Sequence, residues 1–236
     1  MQRVHWPLYM LDFEAVNPAI PRWPGTRAFQ QIPFQYSLHV MNRNGTVAHH
    51  DFLDLSGADP RRALAEKLVR DIPASSTQEP GGTVLAYNAS FEGQVIAALA
   101  AEVPDLAAAL QDIKSRLVDL LPIAREAWYH PAQQGSWSIK KVLPTLDQGS
   151  PSYADLQDVA DGQEAVQAYM RATSQGVSPE EVQQLKQALL RYCKQDTEAM
   201  VKLWEHLTVV AELGGSGFEP EAAEDGTAQP TLRAKP

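Results

Sequence analysis

The chain has a single cysteine, Cys193, and no long uncharged apolar run. One cysteine excludes an internal disulfide framework and fits a reducing compartment. The apolar stretch near the amino terminus is interrupted by Asp12 and Glu14, so it is too short and too charged for a signal peptide or a membrane span. With 236 residues, 44% of them hydrophobic, one large domain is expected. We therefore expect a soluble cytoplasmic protein that does not associate with membranes.

Positive charge is also scarce, and the formal net charge is −9. Non-specific nucleic-acid affinity comes largely from Lys and Arg, so this balance argues against a phosphate-rich partner. However, residues 211–236 carry −3, which leaves −6 for the rest of the chain. Two bound divalent cations would reduce that remainder to about −2. The net charge therefore decides neither for nor against such a partner.

The apolar pattern predicts an α/β domain over residues 1–213, with a mixed β-sheet flanked by α-helices. Strict alternation over residues 7–16 predicts a strand that ends with Asp12 and Glu14 on one face. The remaining predicted elements are two strands joined by a hairpin at residues 43–45, a helix over 59–71, a strand ending near Tyr87, a helix from Ser90 and a long helix from Pro179 to about Leu213. By composition, residues 214–236 are predicted to form a disordered acidic tail.

Three fragments supply acids suited to one site. Asp12 and Glu14 project from the same strand face. Glu92 follows the strand that ends near Tyr87 and lies in the first turn of a helix. Tyr192 and Asp196 are four residues apart and therefore share one helix face. Hard divalent cations such as Mg²⁺ and Mn²⁺ prefer oxygen ligands of this kind, and no His or Cys cluster has zinc spacing.

Each fragment alone also has a simpler interpretation. A lone Asp-x-Glu is usually a solvated strand end. Asn88 and Ser90 are suited to cap a helix, with Glu92 favouring its positive end. Asp119 is either an acid near the site or a helix start, and Cys193 is expected to pack as a small apolar residue. The ordered combination of all three fragments favours a metal site over these separate interpretations.

The three fragments together resemble the exonuclease motifs of the DEDD superfamily, which has the ribonuclease H-like fold. The residues that carry this resemblance are Asp12-x-Glu14, Asn88-x-x-Phe91-Glu92 and Tyr192-x-x-x-Asp196. The tyrosine is similar to the DEDDy form found in proofreading domains of family B DNA polymerases. The segments "IPFQYSLH", "YNASFE", "GSWSIKKVLPTL" and "YCKQDTEAM" resemble an uncharacterised bacterial domain family of this superfamily. The resemblance covers about residues 7–210.

The resemblance implies a metal-dependent 3′–5′ exonuclease that acts on the 3′ end of single-stranded DNA or RNA. It implies two divalent cations, Mg²⁺ or Mn²⁺, held by Asp12, Glu14, Glu92 and Asp196, with Tyr192 orienting the attacking water. Glu92 stands where the second motif usually has aspartate, and its extra methylene can shift the metal geometry and weaken catalysis. The alternative is a catalytically weak or inactive nucleic-acid-binding or scaffold module with the same fold.

Substrate-contacting residues are less well specified by the sequence. Arg22, Trp23 and Arg27 follow the first strand and offer charge with a stacking surface, as do Trp137 with Lys140 and Lys141. Each of these residues is equally suited to ordinary surface or core. The sequence distinguishes neither DNA from RNA nor one oligomeric state from another.

Overall fold

The computed structural model describes residues 2–76, 81–146, 159, 161–212, 218–222 and 228–232, with side chains described between residues 4 and 209. The strands are β1 (Gln2–Arg3), β2 (Leu8–Val16), β3 (Ile32–Met41), β4 (Val47–Leu53), β5 (Val84–Ala86), β6 (Leu117–Asp119), β7 (Phe218–Ala222) and β8 (Ala228–Leu232). The α-helices are α1 (Arg61–Asp71), α2 (Ser90–Glu102), α3 (Ala107–Ser115), α4 (Leu120–Ala127), α5 (Ile139–Val142), α6 (Gly162–Ala172) and α7 (Pro179–Glu212). Short 3₁₀ turns lie at Pro104–Leu106, Pro131–Gln133 and Leu143–Thr145.

Five strands form one mixed sheet in the order β4-β3-β2-β5-β6. β2, β3 and β4 pair antiparallel, whereas β2, β5 and β6 pair parallel. This arrangement confirms the predicted α/β fold with a mixed sheet and flanking helices. Because parallel strands end at the same edge of a sheet, the carboxyl ends of β2, β5 and β6 lie together, and we call this the carboxyl edge.

The two faces of β2 bury different parts of the core, as its alternation predicts. Tyr9, Leu11 and Phe13 pack in a cluster with side chains of α1, α2 and α3. Leu8 and Met10 pack on the opposite face with side chains of α4, α5 and α7. α6 and α7 enclose a third cluster near the carboxyl edge, around Phe34 of β3. β2 is therefore an interior strand, and its polar end faces the α7 layer.

The pairing of β2 with β3 is irregular just after Glu14. Glu14 pairs with Gln35, but Ala15 pairs with Pro33, so β3 contains one extra residue at this step. A bulge of this kind bends the strand and redirects nearby side chains. The ring of the extra residue, Phe34, stacks on Tyr169 of α6 with 4.0 Å between the centroids. The end of β2 that carries the acids is therefore tied to the α6 layer.

Two segments of the region predicted as a tail form strands, β7 and β8. β7 and β8 pair antiparallel, and β1 joins them in a small second sheet of order β1-β8-β7. Backbone pairing supplies these strands with hydrogen bonds that composition alone does not reveal. The other parts of the predicted tail, residues 214–217, 223–227 and 233–236, lie outside the described residues.

Across the described residues, no single helix has both the length and the apolar character needed to cross a membrane. One bent pair, Ser90–Glu102 with Pro104–Ser115, passes by length and composition together, with 118° between its halves.

Candidate functional site

Asp12 and Glu14 lie at the carboxyl end of β2, on the face that packs against α7. Glu14 is buried, and its strand neighbour Gln35 is fixed by a hydrogen bond from its side-chain amide to the backbone carbonyl of Leu189 on α7 (2.8 Å). Asp12 is half-buried. Asp12 and Glu14 therefore do not form a solvated strand end.

Glu92 lies in the first turn of α2, and three residues separate the end of β5 from the start of α2. The turn into α2 has Asn88 at φ +67°, and the backbone N–H of Asn88 donates to the Asp119 carboxylate at 2.9 Å. The same Asp119 oxygen accepts from the backbone N–H of Leu121 at the start of α4, also at 2.9 Å. Asp119 therefore caps α4 and connects two neighbouring strand ends. No side chain caps α2, which differs from the capping role considered for Asn88 and Ser90.

The carboxylate of Glu92 is buried, with 3% of the residue exposed. Its Oε2 atom has no hydrogen-bond partner within the described part of the chain. Burial raises the pKa of Glu92 to about 7, with a smaller contribution from Asp119. Leaving a buried carboxylate oxygen unpaired is costly, so this oxygen is well suited to bind a cation.

α7 brings Tyr192, Cys193 and Asp196 to the end of β2. The Cys193 thiol lies 3.5 Å from Oδ2 of Asp12. Ligand atoms of Asp12, Glu14 and Cys193 all lie within 4.8 Å of one another. Cys193 is fully buried, as a small apolar residue would be, and its thiol also contacts the Asp12 carboxylate.

The four predicted acids interact electrostatically. Burial raises the pKa of Asp12 well above its usual range, and the charges of Asp196, Glu14 and Glu92 raise it further. Burial raises the pKa of Glu14 to about 8, with Asp196 as the next contribution. Like charges raise one another's pKa only when they are close, so the acids of β2, α2 and α7 share one environment.

A lysine from α5 also reaches this environment. Lys140 Nζ donates to the Tyr192 hydroxyl at 3.3 Å and lies 4.8 Å from the centre of its ring. Its charge lowers the pKa of Glu14, opposing the effect of burial. The phenol of Tyr192 is buried, and burial together with the charges of Asp196 and Glu14 raises its pKa far above the usual range. Tyr192 is therefore a neutral hydroxyl at physiological pH.

The start of α6 also lies next to Glu14. A Cβ atom at Gly162 would lie 4.0 Å from Oε2 of Glu14. The preceding residue, Asp161, caps α6 by accepting from the backbone N–H groups of Gln163 (2.8 Å) and Glu164 (2.9 Å). The charge of Asp161 contributes to the raised pKa of Glu14. Sequence reasoning missed Asp161, because neither its spacing nor its neighbours distinguish it from other helix caps.

A buried polar network fixes α7 against the sheet next to Asp196. Thr197 Oγ1 lies 2.7 Å from Ser37 Oγ and 2.8 Å from His39 Nδ1. Ser37 Oγ also lies 2.9 Å from His49 Nε2. Burial lowers the pKa of His39 to about 4, so this imidazole is neutral at physiological pH. The network therefore joins β3, β4 and α7 without a buried charge.

Ser37, His49 and Asp51 have the residue types of a hydrolase triad, but their geometry does not support that role. His49 Nδ1 is 4.0 Å from Asp51 Oδ2, which exceeds hydrogen-bond distance. Ser37 is 1% exposed, so a substrate does not reach its hydroxyl. These residues are structural.

Two residues considered as substrate contacts, Arg22 and Trp23, make structural contacts within the protein. Trp23 is buried, and its indole N–H donates to the backbone carbonyl of Gly57 at 3.0 Å. Arg22 donates to the Thr173 hydroxyl at the end of α6, at 3.1 Å. Trp23 is therefore part of the core rather than a stacking surface.

Residues 9–138, more than half of the chain, match the family model described as a domain of unknown function, DUF2779. The chain belongs to the DUF2779 family. The DUF2779 match includes the carboxylates of β2 and α2 and ends before Lys140 and α7. No curated protein matches the chain. Membership of DUF2779 assigns no activity, so the function is argued from the site.

Proposed function

We propose that this protein is a metal-dependent 3′–5′ exonuclease of the DEDDy type, with a ribonuclease H-like fold and single-stranded DNA or RNA as substrate. The observation that carries the proposal is the convergence of four carboxylates from β2, α2 and α7. The 3′–5′ direction and the DEDDy type rest on the resemblance of the three motifs.

The donor set fits hard divalent cations. Asp12, Glu14, Glu92 and Asp196 are mutually repulsive, and Lys140 supplies one positive charge against four acids. A site of this kind is stable in its ionised form only when further positive charge binds. Carboxylate oxygens favour Mg²⁺ or Mn²⁺, and the unpaired Oε2 of Glu92 offers one such donor. These four acids would hold two ions.

Two bound cations would supply Lewis-acid activation of a water and stabilisation of the departing 3′ oxygen. The residues of the chain would perform the remaining tasks. Tyr192, which is neutral and contacts Lys140, would orient the attacking water by hydrogen bonding rather than remove its proton. Lys140 favours the ionised form of Glu14, which is the form that binds a cation. Asp119 holds the α2 turn that places Glu92.

A nucleic-acid-binding module with weak or no catalysis is the second candidate. Glu92 favours it, since its side chain is one methylene longer than the aspartate usual at this motif. A displacement of about 1 Å in a reacting group can reduce a rate on the order of 100-fold. Glu92→Asp separates the two candidates, because it restores the shorter side chain at the same position. A gain in rate would show that geometry limits an existing activity.

The primary test is hydrolysis of 3′-labelled and 5′-labelled single-stranded DNA and RNA with Mg²⁺, Mn²⁺ or chelator. Asp12→Asn and Asp196→Asn remove one charge each with little change in shape. We expect stepwise shortening from the 3′ end that requires metal and is lost in both variants. Absence of cleavage in every condition, including with Glu92→Asp, would overturn the exonuclease proposal. Metal-dependent thermal stabilisation without cleavage would favour the binding module.

A further inference from the structure

The loop of residues 17–31 joins β2 to β3 at the carboxyl edge of the sheet. Its first residue is three positions after Glu14, and its ends are held together because Val16 pairs with Ile32. The carboxyl ends of β2 and β5, which position the candidate acids, lie at this same edge. Loop 17–31 therefore borders the candidate site.

Loop 17–31 is fixed by contacts that do not involve its most exposed side chains. Trp23 anchors it in the core through the hydrogen bond to Gly57, and Arg22 ties it to Thr173. The backbone N–H of Phe29 donates to the carbonyl of Pro18 at 2.9 Å, which closes the loop on itself. The shape of the loop is therefore set by its backbone and its buried anchor.

The same loop exposes two large apolar side chains. Ile20 is 81% exposed and Phe29 is 69% exposed. Phe29 also has φ +58°, a left-handed conformation that is uncommon for an aromatic residue. Such backbone strain persists where the surrounding structure imposes it, and it is often found at binding sites. Neither side chain is needed to hold the loop, so both are available to a ligand.

The chemistry of this surface favours a single strand of nucleic acid. Arg27 is exposed on the same loop, two positions before Phe29, and supplies positive charge. Exposed aromatics next to cations are the usual surface for single strands, because bases stack and phosphates pair. A stable protein interface buries about 800 Å² on each partner, far more than two side chains provide. We propose that loop 17–31 is the platform for the terminal nucleotides of a single strand, with Phe29 stacking on a base and Arg27 contacting phosphate. This assignment rests on the proposed function.

The test measures binding of a short fluorescein-labelled oligothymidylate by anisotropy, with Ca²⁺ in place of Mg²⁺ or Mn²⁺. Loss of one stacked base predicts about tenfold weaker binding for Phe29→Ala. Phe29→Gly is expected to show the same loss, although glycine accepts a positive φ and so preserves the loop. Phe29→Tyr retains an aromatic face and is expected to bind like the parent protein.

Matched controls lie on the opposite edge of the sheet, at the β3–β4 hairpin. Arg27→Gln is expected to weaken binding and reduce its salt dependence, whereas Arg43→Gln removes the same charge from the hairpin and is expected to have no effect. Val47→Ala is the corresponding control for an exposed apolar side chain.

Two outcomes separate the platform from the proposed activity. An active exonuclease whose KM for oligonucleotides is unchanged in Phe29→Ala and Phe29→Gly would overturn the platform and leave the activity standing. Oligonucleotide binding that depends on Phe29, without hydrolysis by any form of the protein, would support the platform and overturn the activity.

Discussion

At the scale of single residues, Lys140 opposes the repulsion among the acids. Its charge lowers the pKa of Glu14, and its ammonium donates to the Tyr192 hydroxyl. Replacement by methionine, Lys140→Met, removes the charge and keeps much of the side-chain volume. The pKa of Glu14 should then rise further. At a pH below the pKa, each unit of rise lowers the ionised fraction of Glu14 about tenfold. We expect the acid limb of the activity–pH profile to move to higher pH.

The neighbouring lysine provides the control for this prediction. Lys141 is exposed, whereas Lys140 is half-buried, so Lys141→Met removes the same charge from the same helix. We expect its pH profile to match that of the parent protein. Equal shifts in the two variants would mean that net charge, rather than the position of Lys140, controls the site.

The residues of the candidate site differ in how far the sequence could predict them. Asp12, Glu14, Glu92 and Asp196 were grouped in advance by the order of the three fragments and their resemblance to exonuclease motifs, since periodicity places each acid only on a face of its own element. Lys140 could not be placed with them, since its contact with Tyr192 spans 52 positions and depends on how α5 packs. Periodicity describes one element at a time, and a contact between elements is set by tertiary packing.

At the scale of elements, apolar periodicity predicts β2 to β5 and the helices α1, α2 and α7, but it leaves other features unpredicted. The strand β2 and the helix α7 were both predicted close to their observed bounds. The bulge after Glu14 was not, because it depends on the register with β3. The strands β7 and β8 were not predicted either. β8 pairs with β1, which is distant in the sequence, and both β7 and β8 carry few apolar residues.

The position of α7 depends on a hydroxyl rather than on apolar packing alone. Thr197 is fully buried, and its hydroxyl contacts Ser37 and His39 on β3. Thr197→Val has nearly the same shape but removes the hydroxyl that His39 Nδ1 contacts, while Ser37 keeps its contact with His49. An unsatisfied buried polar group costs about 1–3 kcal/mol. We expect a loss of that size in the free energy of unfolding, measured by urea denaturation, together with reduced activity because Asp196 is adjacent.

A second threonine on the same helix provides the control. The Thr208 hydroxyl donates only within α7, to the carbonyls of Trp204 and Glu205 among the described contacts. Thr208→Val makes the same chemical change in the same helix without affecting β3. We expect a smaller loss of stability and unchanged activity. A cost for Thr197→Val no greater than that for Thr208→Val would show that the network does not hold α7.

At the scale of the whole molecule, the acids make the folded state sensitive to pH and to metal ions. Unfolded, Glu14 and Glu92 ionise near their ordinary pKa of 4.5, whereas folding raises the pKa values to about 8 and about 7. The folded state therefore binds more protons between these limits, and its stability falls as pH rises. His39 acts in the opposite direction below its ordinary pKa of 6.5, since folding lowers its pKa to about 4. Above pH 6.5, His39 is mostly neutral in both the folded and the unfolded state, so it no longer opposes the effect of Glu14 and Glu92.

In chelator, we therefore expect the melting temperature to fall by a few degrees, roughly the effect of 1–2 kcal/mol, between pH 6.5 and 8. Mg²⁺ or Mn²⁺ competes with protons for the same oxygens, so the stabilisation by metal should be larger at pH 8 than at pH 6.5. Glu14→Gln cannot ionise, so in chelator its melting temperature should depend less on pH, and its gain from metal should be smaller. A parent protein whose stability in chelator is flat or rises across this range would show that the acids do not share a buried, repulsive site. The same melting curves would then remove the main physical reason for placing cations there.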